Sequence, residues 1–61
     1  MCEFNIIING VTVFKEVVYA KTDDNNVSAK NILGETKLFK NSKITEVDVN
    51  SGRLVLSPAQ T

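Results

Sequence analysis

Apolar residues recur at every second position in short blocks, and clusters of Asn, Asp, Gly and Ser divide one block from the next. That alternation is the period of a strand with one face in a core, and the thirteen Val and Ile residues supply the β-branched side chains that strands favour. Phe4, Ile6 and Ile8 fall on one face of a first strand, and Asn9-Gly10 follows as a hairpin signal, because a type I′ turn needs positive φ at both central residues. Val11 and Val13 return as the second strand. The stretch from Glu16 to Lys21 also fits a helical stripe through Phe14, Val17 and Val18, but it is short and uncapped, so it reads as a bent continuation of the second strand.

The polar turn Asp23-Asp24-Asn25-Asn26 leads into a strand over Val27–Leu33. Gly34 marks a tight turn or bulge before Glu35-Thr36-Lys37-Leu38-Phe39, and Asn41-Ser42-Lys43 is the next break. Ile44, Val47 and Val49 then precede the turn Asn50-Ser51-Gly52, after which Leu54 and Leu56 share one face of the final strand and Pro58 ends it. The pattern predicts an all-β chain, a small SH3-like or Sm-like antiparallel barrel of five to seven short strands, forming a single domain over residues 1–61. Closing the sheet would hide its edges.

A chain of 61 residues buries little apolar surface, so chains of this size lean on a disulfide, a metal or a partner subunit. A single cysteine rules out an intrachain disulfide, which leaves a metal or self-association as a homodimer. Ile6-Ile7-Ile8 carries apolar groups on both faces of the first strand, and the Ile7 face is the candidate subunit contact; the alternative is that Ile7 fills the core of a twisted strand.

Seven Lys plus Arg balance seven Asp plus Glu, so no net field gathers polyanions and nucleic acid is an unfavoured partner. Lys37, Lys40 and Lys43 around Phe39 give the one hint of an RNA-type surface, and three lysines on a hairpin are more commonly solubilising charge. No apolar segment approaches the roughly 20 residues that span a bilayer, and the opening Met1-Cys2-Glu3 lacks the basic and apolar regions of an export signal. The expectation is a cytoplasmic protein without a membrane role.

Candidate chemistry converges on Cys2, the only cysteine in a chain without histidine. A thiolate is a soft donor for late first-row ions, and it needs further ligands. A second protomer can bring its own Cys2, or the terminal amine at Met1 and the backbone amide of Glu3 can complete a plane. Planar nitrogen and sulfur coordination suits nickel(II); thiolates reduce copper(II), and zinc prefers a tetrahedral Cys and His set that one chain cannot supply. The bland alternative is Cys2 as a small hydrophobe on the first strand. No Ser/His/Asp or Cys/His arrangement is possible, no glycine-rich phosphate loop occurs, and Glu46-Asp48 and Asp23-Asp24 read as solvated faces, so catalysis is not expected.

The Met1-Cys2 start, the hydrophobic hairpin, Ile32-Leu33-Gly34-Glu35, and Ile44-Thr45-Glu46-Val47-Asp48 followed by Ser51-Gly52-Arg53-Leu54-Val55-Leu56 together resemble the CooT family of small nickel-binding proteins. The resemblance covers nearly the whole chain. It implies an SH3-like or Sm-like β fold, a homodimer, and nickel(II) held through Cys2, in a non-enzymatic accessory that serves maturation of a nickel enzyme such as carbon monoxide dehydrogenase. A metallochaperone or nickel store of this kind would work beside a maturation factor of that enzyme. The competing expectation is a small RNA- or protein-binding barrel in which Cys2 is incidental.

Overall fold

The computed structural model describes residues 3–59. The chain runs β1 (Phe4–Ile8), β2 (Val11–Asp23), β3 (Asn26–Asn31), β4 (Thr36–Phe39), β5 (Ser42–Asp48) and β6 (Arg53–Pro58), with no helix among the described residues. The strands form one six-stranded sheet in the order β4-β3-β2-β1-β6-β5.

Turn chemistry sets the register at each end of β2. Asn9 and Gly10 take φ of 53° and 76°, and Ile8 pairs with Val11, the two-residue connection that the Asn-Gly pair demands. At the far end only Asp24 and Asn25 lie outside the ladder, since Asp23 pairs with Asn26. The expected four-residue turn is therefore two residues long.

The ambiguous stretch after Phe14 is strand, and β2 runs for 13 residues. It does so by bending. Glu16 sits at φ 59°, register shifts flank Ile6 in β1 and fall between Val17 and Tyr19 in β2, and Val17 pairs with both Phe4 of β1 and Asn31 of β3. The first half of β2 thus completes a ladder with β1, and the second half turns away to carry β3 and β4. A left-handed φ at a residue with a Cβ costs on the order of 1–3 kcal/mol, so the bend persists only because the pairings on both sides hold it.

The expected closed antiparallel barrel is corrected in two respects. β1 and β6 run parallel, with Asn5 through Ile8 opposite Arg53 through Leu56, so the sheet is mixed. It is also not closed: β4 and β5 are its two edges. The reason lies in residues 40–42. The Ser42 N–H donates to the Asn25 carbonyl at 2.7 Å and the Asn41 N–H to Asn26 Oδ1 at 3.1 Å, which ties this connection to the β2–β3 turn instead of extending a ladder between the edges.

The strand expected over Val27–Leu33 stops at Asn31. Asn31 Oδ1 accepts from the N–H groups of Leu33 and Glu35, both at 3.0 Å, while its Nδ2 donates to Glu35 Oε1 at 2.8 Å. A side chain that satisfies three loop partners at once offers the backbone an alternative to the ladder, and the chain turns there. Ile32 and Leu33 are left exposed.

Ile6, Val17, Val27, Ala29, Leu54 and Leu56 form the buried core, with Phe4, Ile8, Val13, Phe14, Ala20, Phe39 and Ile44 packed around it. The even positions of β1 and β6 point into it, as the alternation requires. Ile7 is half-buried on the opposite face of β1, across from Thr12 and Val55.

Candidate metal centre

Cys2 and Met1, the thiolate and terminal-amine candidates, lie outside the described residues. Glu3 is the first residue of the site that the structure describes, and its side chain is exposed. Its backbone is fixed at the β5–β6 turn. The Asn5 N–H donates to the Gly52 carbonyl at 2.7 Å, and the Glu3 carbonyl oxygen lies 3.0 Å from where a Cβ on Gly52 would stand. Among the described residues, no group of three or more Asp, Glu, Cys or His side chains is arranged to hold a metal ion.

Two constraints converge on Gly52. Its φ of 67° is left-handed, and an added methyl group would press on a backbone oxygen that cannot swing aside as a side chain can. Gly52→Ala is therefore expected to cost about 1–2 kcal/mol from conformation alone. Thermal unfolding measures that loss, and shifts of the Glu3 and Asn5 amide resonances report the displaced N-terminal segment. An unchanged melt with unmoved amides would contradict this account of the turn.

Asp48 completes the same turn from the other side. Its Oδ1 accepts from the Asn50 N–H at 3.1 Å and the Ser51 N–H at 3.4 Å. Hydrogen bonds from the Ser51 side chain and then its backbone lower the Asp48 pKa below the ordinary aspartate value, with Arg53 adding a smaller effect of the same sign. Glu46 and Asp48 do share the outer face of β5, opposite Val55 and Arg53, and Asp48 is employed in the turn.

The basic and aromatic cluster does not assemble. Lys37 lies across β2, with Nζ 5.4 Å from the Phe14 ring centroid and 3.5 Å from the Val13 carbonyl oxygen. Phe39 meets the Phe14 ring edge-on at a centroid separation of 6.4 Å and packs against the core, so its face is not presented as a stacking platform. Tyr19 is the exposed aromatic of this region of β2, with Lys30 Nζ 6.0 Å from its ring centroid.

A pocket of about 190 Å³ that the sequence reading missed opens beside the N-terminal end of β1. Phe4, Val18, Tyr19 and Val47 are among its walls, and Val17 and Leu54 bring the core to its floor. Val47 pairs with Leu54. The sequence pattern does not show that Val47 lies on an edge strand and stays 55% exposed.

Comparison with known families decides the affiliation. The model of the family described as CO dehydrogenase accessory protein CooT matches residues 1–57. The chain belongs to the CooT family. The match takes in Cys2, Glu3, the Gly52 turn and every strand but the end of β6. A search of curated proteins finds no match. Among the described residues no helix is long and apolar enough to cross a membrane.

Proposed function

We propose that this CooT-family chain is a nickel(II)-binding homodimer that carries or stores the ion for a nickel enzyme, carbon monoxide dehydrogenase being the one the family's description names. Nickel is the cargo, and no step of chemistry on it is assigned to the protein. The observation that supports this reading is the family match from residue 1 to 57, which includes the sole cysteine of a chain lacking histidine. With Cys2 as the one thiol per chain, the thiolates of two protomers gripping one ion give two sulfur ligands. The backbone amides of Cys2 and Glu3 are the candidate nitrogen donors, together with the terminal amine, which is that of Met1 if that residue is retained.

Affinity has a pH dependence that counts the protons its ligands release. A cysteine thiol ordinarily titrates near 8.5 and must lose its proton to bind, so each thiolate ligand weakens apparent affinity about tenfold per pH unit below that value. Two shared thiolates therefore predict a loss of at least roughly a hundredfold between pH 7.5 and pH 6.5, and each amide or amine nitrogen that also gives up a proton to bind steepens it. Calorimetric titration of the apo-protein with nickel(II) at those two values, with native mass recorded at saturation, measures the slope and the stoichiometry together. A tenfold slope with one ion per chain means a single thiolate, and a flat slope removes the thiol from the site.

A further inference from the structure

We infer that Asn9, at the tip of the β1–β2 hairpin, is a site of spontaneous covalent modification: its side-chain amide is lost as ammonia, and the isoaspartate among the products undoes the hairpin. Neither the metal nor a partner subunit enters into it.

The chemistry sets strict conditions on an asparagine and on the residue after it. The next backbone nitrogen attacks the side-chain amide carbon, the new carbon–nitrogen bond closes a five-membered succinimide, and the amide nitrogen departs as ammonia with the attacking nitrogen's proton. Water then opens the ring. Attack at the side-chain carbonyl gives aspartate, and attack at the main-chain carbonyl gives isoaspartate, whose backbone runs through the former side-chain carbon. The sum is amide plus water to acid plus ammonia, with no change of oxidation state. The asparagine side chain therefore has to be loose, the following N–H free, and the following side chain too small to shield it.

Of the seven asparagines, Asn9 meets every condition. Gly10 follows it, both residues are exposed, and a Cβ at Gly10 would meet nothing within 4 Å. Among the described residues, no hydrogen bond reaches the Asn9 side chain or the Gly10 N–H. The others fail on one count or more. Asn5 and Asn26 precede the β-branched Ile6 and Val27, and their Oδ1 atoms accept from the N–H groups of Glu16 at 3.4 Å and Asn41 at 3.1 Å. The Asn31 side chain is held by Leu33 and Glu35, and the Ile32 N–H donates to the Glu16 carbonyl at 2.9 Å. After Asn41, the Ser42 N–H is engaged by the Asn25 carbonyl at 2.7 Å; after Asn50, the Ser51 N–H is engaged by Asp48 Oδ1 at 3.4 Å. Asn25 precedes Asn26, whose backbone is paired with Asp23.

The fold slows the reaction at Asn9 without abolishing it. With φ of 53° and 76°, Asn9 and Gly10 are held in the left-handed turn, and attack waits for the tip to open. An exposed tip with few buried contacts opens at the low end of the free-energy range. The two products then part company. Aspartate tolerates the left-handed conformation as asparagine does, so Ile8 stays opposite Val11. Isoaspartate inserts an additional backbone atom into a two-residue turn, and turn length is what sets a hairpin's register. Ile8, packed against the core, is next to the break. Either product also adds a carboxylate to a chain whose seven basic and seven acidic residues balance.

The test is peptide mapping by mass spectrometry of the whole chain kept in warm, mildly alkaline buffer, folded and in concentrated urea, with the two products separated by chromatography. In the folded chain Asn9 is expected to convert at least about tenfold faster than any other asparagine, since glycine alone leaves the attacking nitrogen unshielded. In urea Asn9 should convert faster still, and Asn41 and Asn50 should begin to react as the N–H groups after them are released. Asn9→Asp, which is the aspartate product made directly, should melt close to wild type and give none of the early ammonia, whereas the purified isoaspartate form should melt several degrees lower. An Asn9 that survives in the folded chain while it converts in urea, another asparagine that converts first, an isoaspartate form that melts with wild type, or an Asn9→Asp that melts as low as isoaspartate would each overturn the inference.

Discussion

Cys2→Ser is expected to abolish the thiolate-to-nickel charge-transfer absorption and to weaken nickel(II) binding by more than about a hundredfold, since loss of even an outer-shell partner of a metal ligand costs 10–100-fold. The serine hydroxyl keeps the size of the side chain while removing the soft, ionisable donor, and no histidine exists to take its place. Among the described residues the core is Ile6, Val17, Val27, Ala29, Leu54 and Leu56, and the circular dichroism of the sheet is expected not to change. Absorption spectroscopy during a nickel titration of both proteins decides the matter, and tight stoichiometric binding by the serine variant would end the proposal. The competing RNA-binding reading makes the reverse forecast: affinity for single-stranded RNA that falls with salt, weakens on replacing Lys37, Lys40 and Lys43, and ignores Cys2.

Ile6→Ala is expected to unfold the protein or to lower its melting temperature by about 15 °C or more. Ile6 is 0% exposed at the centre of the sheet, opposite Phe14 on one side and Leu54 on the other. Truncating a buried isoleucine costs about 2–5 kcal/mol, because the lost transfer energy is joined by a cavity that the neighbours fill only in part. A core in a chain below about 70 residues rarely supplies more than 3–5 kcal/mol in total, so the substitution removes most or all of the margin. Ile6→Val, which deletes one methylene, should cost about 0.5–1.5 kcal/mol and serves as the graded control. Thermal melts at several protein concentrations separate this loss from dissociation. An Ile6→Ala protein that melts within a degree or two of wild type would mean that the core is wrongly placed.

Much of the fold was legible because local signals and burial agree in β1, β2, β5 and β6. Asn9-Gly10 fixed a hairpin through backbone conformation, and Leu54 and Leu56 advertised their common face by spacing alone. What the sequence concealed is non-local. Nothing in Ile6 or Leu54 says that their strands run parallel, because period two is the same for either direction. Asn31 ended β3 early through hydrogen bonds to Leu33 and Glu35, a competition that residue type suggests and only geometry resolves. The open pocket was hidden for a related reason: Val47 and Tyr19 alternate as ordinary strand residues, and their exposure follows from an edge position and a bulge. Of the candidate site, Cys2 is named by residue type alone and lies outside the described residues, while the docking of Glu3 and Asn5 against Gly52 required coordinates.

The parallel pairing of β1 with β6 has a temporal consequence. Ile6 meets Leu54 across nearly the entire chain, so the strand that follows Cys2 gains one of its two neighbours only after β6 has been made. Loop closure over such a separation comes before any reward from contact, which slows folding and leaves the hairpin of β1 and β2 waiting with one edge bare. A nascent chain thus exposes Ile6 and Ile8 along that bare edge until Leu54 and Leu56 arrive to cover them.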